Sequence, residues 1–140
     1  MLHEERTSVD APTPEALADE YRTELARIVD EHGVEPVAAE TGIETATLRS
    51  IAAGEAPELF LEDAAAIQAL DSELDAATIH AEACDHLLLG MSMAVLDVDT
   101  IAAEYEGERS GKGIQQRLER RAPVSLAEFA RLEHFIASRR

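Results

Sequence analysis

The chain has no tryptophan, a single cysteine, a single lysine and few aromatic rings of any kind. With Cys84 alone, no intrachain disulfide can form, and a reducing interior is the expected home. Aromatic residues make up 4% of the sequence against 46% hydrophobic residues overall, so a core has to be assembled from Ala, Leu, Ile and Val. That composition favours packed helices. No run of alternating β-branched residues bounded by turns is present, and no sheet is expected. The longest apolar stretch, 87–96, is far short of the roughly 20 residues that span a bilayer and is flanked by Asp85 and Asp97. The first fifteen residues, MLHEERTSVDAPTPE, lack the cationic start and apolar core of a secretory signal. The expectation is a soluble cytoplasmic protein with no membrane partner.

Signatures of catalysis are equally scarce. No Ser/His/Asp or Cys/His constellation sits in a supporting motif, and the many carboxylates are distributed like a solvated surface. The glycines of GERSGKG do not have the spacing of a phosphate-binding loop, and no strand precedes them. His80, Glu82, Cys84 and His86 gather on one predicted helix, with His80 and Cys84 one turn apart, but no second Cys/His pair exists to complete a four-ligand zinc site. No enzyme activity, cofactor or metal is expected.

What is present is a series of amphipathic helical periods. After a polar stretch over 1–12, read as a disordered tail, Thr13-Pro14-Glu15 has the form of a helix start: a capping hydroxyl, then proline where its missing N–H is harmless. Leu17, Tyr21, Leu25 and Ile28 follow at helical spacing, and Gly33 stops the run. The next stretch, VEPVAAETGIETATLRSIAAG over 34–54, predicts two short helices sharing a seam of Val37, Ala38, Ile43, Leu48 and Ile51, with Gly42 at the bend. A left-handed backbone conformation is needed there, and glycine adopts it without steric penalty. A fourth helix is predicted from about Leu61 to Leu70, and a fifth from near Asp75 to Gly90. The triplet Leu87-Leu88-Leu89 that ends the fifth helix is expected to pack between two halves or two chains.

On these residues the chain resembles the Cro/phage-repressor type of helix-turn-helix domain over about 17–70. The Ile51–Gly54 ending, the following Pro57 and the further amphipathic helix at Leu61–Leu70 carry the likeness. The resemblance implies a helical domain whose third helix enters the DNA major groove, with Thr45, Ala46, Arg49 and Ser50 facing it. The whole chain is also similar to small uncharacterised proteins of halophilic archaea.

The second half parallels the first. VDTIAAEYEG at 98–107 matches VEPVAAETGI at 34–43, and 114–136 matches 48–70 once a small insertion and a later one-residue deletion are allowed. Ser125-Leu126-Ala127-Glu128 reads as a capping box, followed by a stripe of Leu126, Phe129, Leu132 and Ile136. Chance matches between alanine- and glutamate-rich helices offer an alternative origin for this parallel. The expected architecture is all-α with about eight helices: a helix-turn-helix domain over 13–74, a connecting helix over 75–90, and a C-terminal unit over 91–140 that is a degenerate second copy.

Charge bears on partners. The formal net charge is -17, which alone argues against nucleic acid. Yet near-absence of lysine and acid spread over many faces match a halophilic composition, and at molar salt the screening length falls to about 3 Å. Eight of the twelve basic residues lie at or beyond Arg109. In RSGKGIQQRLERR, Lys112 and exposed backbone N–H groups at a helix start suit a phosphate, Gln115 or Gln116 an adenine edge, Arg117 a guanine, and Arg120 the backbone. An arginine run is also an ordinary solvated helix face. The sequence thus points to a double-stranded-DNA-binding transcription regulator, expected to pair as a homodimer on two half-sites. Glu44, at the groove-facing start of the third helix, keeps open the alternative of a protein-interaction module on the same scaffold.

Overall fold

A computed structural model describes residue 2 and residues 10–105 and 109–139, and over these the chain is all-helical, with eight α-helices and no strand. They are α1 (Pro14–His32), α2 (Val34–Thr41), α3 (Thr45–Ala52), α4 (Leu61–Ala69), α5 (Ala76–Ala94), α6 (Val98–Glu104), α7 (Gly111–Leu118) and α8 (Leu126–Ser138). Most of the starts are written in short polar side chains. Thr13 Oγ1 accepts from the Ala16 amide, Asp75 from Thr78, Asp97 from Thr100, Ser110 from Gly113 and Ser125 from Glu128. Each satisfies one of the amide groups that the first helical turn leaves without a partner.

The eight helices form two units of four with the same plan. In α1 the buried positions Leu17, Tyr21, Leu25, Ile28 and Val29 recur at identical spacing in α5 as Ile79, Ala83, Leu87, Gly90 and Met91. The ends of α3 and α7 are built alike. Ala53, Gly54 and Glu55 amides donate to the carbonyls of Arg49, Ile51 and Ser50, and Glu119, Arg120 and Arg121 donate to Gln115, Arg117 and Gln116. Gly54 has φ +82° and Arg120 φ +63°, the left-handed conformation that this helix ending demands. The parallel expected from the Ala-Ala-Glu matches therefore extends to backbone hydrogen bonding.

The units are not separate bodies. Helix α1 packs on α8, and its counterpart α5 packs on α4. Between them, Phe60 and Ser125 form an isolated antiparallel bridge in which Leu61 N donates to Val124 O and Leu126 N donates to Leu59 O, both at 2.8 Å. The exchange is reciprocal, so it relates the units by an approximate two-fold. A single buried cluster runs through both, from Leu17, Leu25 and Leu48 to Ile114, Phe129 and Ile136. Tyr21 adds a polar tie, its hydroxyl donating to the buried carboxylate of Glu133 on α8.

Several sequence expectations change here. The helix expected to connect two units over 75–90 is instead the first helix of the second unit, and it runs on to Ala94. Gly90 does not stop it because that glycine lies on the buried seam, at the place Ile28 holds in α1. The stop comes at Val95, where φ is +55° and ψ +48°. The tail expected over 1–12 is tied down at its described apolar residues: Leu2 is 1% exposed with its amide on Gln68 Oε1 at 3.0 Å, and buried Ala11 accepts from His134. The remainder of that tail, at 1 and 3–9, lies outside the described residues. Of Leu87-Leu88-Leu89, only Leu87 is inside; Leu88, Leu89 and nearby Met93 stand on the surface. Among the described residues no single helix is long and apolar enough to cross a membrane, and α5 with α6 meets that composition only across an 87° bend.

Two outcomes follow from these packings. Val95 is 90% exposed, so its side chain adds little burial while a β-branched residue in the left-handed region is strained by about 1–2 kcal/mol. Val95→Gly is expected to raise unfolding free energy by about 1 kcal/mol, after glycine's own entropy cost, in urea melts with an unchanged slope. A fragment ending at residue 74 loses Val124 O, α8 and α5 together; circular dichroism is expected to show a broad, non-cooperative melt where the full chain gives one sharp transition.

Candidate nucleic-acid interface

The α2–α3 turn is fixed from both sides. Gly42 has φ +75°, and Thr41 Oγ1 donates to Val37 O at 2.7 Å while accepting from the Ile43 amide at 3.2 Å. Val37, Ile43, Leu48 and Ile51 are buried beneath, and Ala38 is half-buried where the helices meet. The opposite side of α3 is open: Ala46 and Arg49 are exposed, and Thr45 and Ser50 are half-buried. Arg49 reaches Glu35 at 3.4 Å, with both side chains largely in water, so the pair is weak and readily exchanged. Glu44 occupies the cap position of α3 without making a side-chain capping bond.

In the second unit α6 and α7 approach more closely. A Cβ on buried Gly111 would fall 2.1 Å from Asp99 Oδ1 and 3.2 Å from the Asp99 backbone nitrogen, so the close approach requires glycine. On the outer side of α7, Lys112, Gln115 and Gln116 are exposed, with Gln115 donating to Glu119 at 3.2 Å. Helices α3 and α7 do not pack on one another. The residues read from the sequence thus form two patches: Thr45, Ala46, Arg49 and Ser50 on one, Lys112, Gln115 and Gln116 on the other.

Two arginines lie outside these two patches. Arg117 lies one turn beyond buried Ile114 on the same inward side of α7, and its side chain is 16% exposed. Its Nη1 donates to Gly113 O at 3.0 Å and its Nε stands 3.6 Å from Glu128 Oε1, so it is not placed to read a guanine. Arg120 falls past the end of α7, in the left-handed turn, 3.6 Å from Asp85 of α5 rather than on the outer side of α7. The spacing from Ile114 to Arg117 carried the first correction. The second depended on where α7 stops.

Glu128 is the residue that sequence reasoning undervalued. It was legible as the acidic member of a capping box, and its amide does donate to Ser125 Oγ. Both oxygens of its carboxylate lie 2.6 Å from Arg109 Nε, whose single N–H they share, and it faces Arg117, tying Arg109 and α7 to α8. Burial pushes the nearby Tyr105 phenol up from its ordinary range, and the Glu128 charge adds to that shift. Elsewhere Arg139 pairs with Glu104 and lies 4.7 Å over the Phe135 ring. Much of the basic C-terminal count is therefore engaged internally, while Lys112, Arg120 and Arg121 face outward.

Two grooves flank the Phe60–Ser125 bridge. One, about 300 Å³, is lined by Arg22, Leu25, Ile51, Pro57, Leu59 and Leu126. The other, about 240 Å³, is lined by Glu62, His80, Arg120, Arg121 and the 122–124 segment. Of the α5 polar cluster, Cys84 is buried, its thiol 3.9 Å from Arg117 O and its pKa pushed up to about 11 by desolvation. His80 opens into the second groove. No three His, Cys, Asp or Glu side chains converge on a metal-sized site among the described residues.

Comparison with curated proteins and with solved structures gives no match. A family model covers residues 17–139, from the first buried leucine of α1 to the end of α8, so both units fall within it. By that match the chain belongs to DUF5791, a family of unknown function.

Proposed function

We propose that the protein binds duplex DNA through the outward sides of α3 and α7. The observation that carries this reading is that each of these helices is held from behind by a buried seam while its far side is uncovered. On α7, Gln115 and Gln116 offer the paired amide donor and acceptor that match an adenine edge, and Lys112 in the first turn adds charge to the amide groups of the helix start. On α3, Arg49 is the one cation, and exchange from Glu35 to a guanine or phosphate leaves no buried charge behind. Thr45, Ala46 and Ser50 are small enough to let that helix approach bases. A transcription regulator is the role such a reader supports best.

One chain supplies two such helices, related across the Phe60–Ser125 bridge. Pairing on two half-sites then needs no second chain, although the homodimer expected from a single motif is compatible with it. The net charge of -17 sets the conditions. Long-range repulsion from phosphates is strong at low ionic strength and screened beyond about 3 Å at 1 M salt. Few cations face outward, so few counterions are released, and affinity falls only shallowly as salt rises.

A second reading has its own observation. Leu89 and Met93 stand on α5 where the matching positions of α1 carry Arg27 and Glu31, an exposed ion pair at 2.9 Å. The scaffold thus tolerates charge there, and the apolar surface on α5 suits a protein partner.

Fluorescence anisotropy on genomic DNA fragments in molar potassium chloride separates the two. Gln116→Ala and Arg49→Glu are each expected to weaken DNA binding about tenfold or more, in line with about 1–3 kcal/mol per specific base contact, with melting unchanged. Arg117→Glu is expected to lower the melting temperature, since it sets a second carboxylate against Glu128. Absence of DNA binding by the folded wild-type chain across the salt range would leave the protein-interaction reading.

A further inference from the structure

We infer that the groove walled by His80, Arg120 and Arg121 is a binding site for a phosphate-class oxyanion. The starting observation is backbone strain. The turn after α3 and the turn after α7 make the same three hydrogen bonds and both need a residue at positive φ. In the first unit that residue is Gly54, which adopts the conformation freely. In the second it is Arg120 at φ +63°, a conformation that side chains bearing a Cβ take only against steric resistance. The turn forms with glycine in the first unit, so the Arg120 side chain is not needed to build it. A strained residue at a cleft is a recurring mark of a functional site.

The surroundings specify the chemistry. Arg120 lines the groove together with Arg121, half-buried His80 and Glu62. Arg120 and Arg121 each bring a guanidinium with planar, paired donors that match the oxygens of a phosphate, and the imidazole can supply a further donor. The opposing charges are Glu62, across the groove on α4, and Asp85, on α5. Asp85 is 63% exposed and 3.6 Å from Arg120, a solvent-screened pair that an incoming anion displaces at little cost. His80 has its pKa lowered, by desolvation first, with Glu62 opposing that shift and Arg120 adding to it. An anion beside it would oppose that lowering by favouring the protonated ring.

The groove on the other side of the bridge is lined differently. It holds Leu25, Ile51, Pro57 and Leu126 with one carboxylate, Glu58, and one cation, Arg22, which is engaged by Asp19 at 2.9 Å. Two neighbouring arginines therefore line only the second of the two grooves. The anion has two sources: a free phosphorylated molecule, or a backbone phosphate of a duplex held by α7. Only the second of these rests on the DNA reading above.

The test is titration of the full chain, at constant potassium chloride, with inorganic phosphate in one arm and a short DNA duplex in the other. The His80 ring resonances are followed by NMR, and Arg120→Gly is compared with wild type. Arg120→Gly keeps the turn and relieves its strain, so it is expected to melt at a higher temperature than wild type. At the same time it is expected to bind the anion at least about tenfold more weakly. Movement of His80 with inorganic phosphate assigns the site to a free anion. Movement with the duplex alone assigns it to a DNA phosphate. If neither ligand moves His80, or if Arg120→Gly binds as tightly as wild type, the inference is overturned.

Discussion

The rest of the structure depends on the two hydrogen bonds exchanged between Leu59–Leu61 and Val124–Leu126. Leu61 and Leu126 are the first residues of α4 and α8, and their amides belong to the set that a helix start leaves without an internal partner. Both residues are almost fully buried. An unmet amide in that position costs about 1–3 kcal/mol. In α4 no side chain caps the start, because Phe60 stands at the cap, and the acceptor comes instead from Val124 of the other unit. Each unit thus completes the backbone of the other. The packing of α1 on α8 and of α5 on α4 follows from the same relation, and it closes one core where the sequence suggested two modules.

What was readable in the sequence was local. Thr13, Asp75 and Ser125 mark helix starts because a short oxygen-bearing side chain meets an orphan amide three residues on, and that geometry involves no distant contact. Gly42 and Gly54 mark turns for an equally local reason. Gly90 misled because glycine is ambiguous: it stops a helix at positive φ, and it also fits a buried seam, and tertiary packing decides between the two. The outward residues of α3 came from the helix-turn-helix resemblance and those of α7 from the basic run that holds them, while helical spacing puts Arg117 with Ile114. The groove at His80 was not legible. It joins α4, α5 and the turn after α7, and no pattern in the sequence brings those three stretches together.

Charge is arranged against the impression that counting gives. The C-terminal region carries most of the basic residues, but Arg109 and Arg117 converge on Glu128, and Arg139 is tied to Glu104 and Phe135. An arginine pair around one buried carboxylate orders α7 against α8, and removing either partner type would strand a charge in a poorly solvated place. The outward cations are few, so specificity in the proposed DNA complex falls to the amides of Gln115 and Gln116 more than to electrostatic attraction. Such a reader is weak at long range and discriminating at contact. That balance suits a chain of large negative charge, because contact hydrogen bonds survive the salt that screens its field.

The two units differ most where the scaffold they share leaves a choice. Buried positions in α1 and α5 keep their spacing, and the turn after α3 keeps its hydrogen bonds after α7. The outer positions do not: Arg27 and Glu31 correspond to Leu89 and Met93, and Gly54 corresponds to Arg120. At the last of these the second unit carries the less favourable backbone residue. Packing does not select it, since Gly54 shows that the turn forms without a side chain. Function in this fold is therefore to be sought in the differences between the halves, above all on the side of the second unit where Arg120, Arg121 and His80 line a groove.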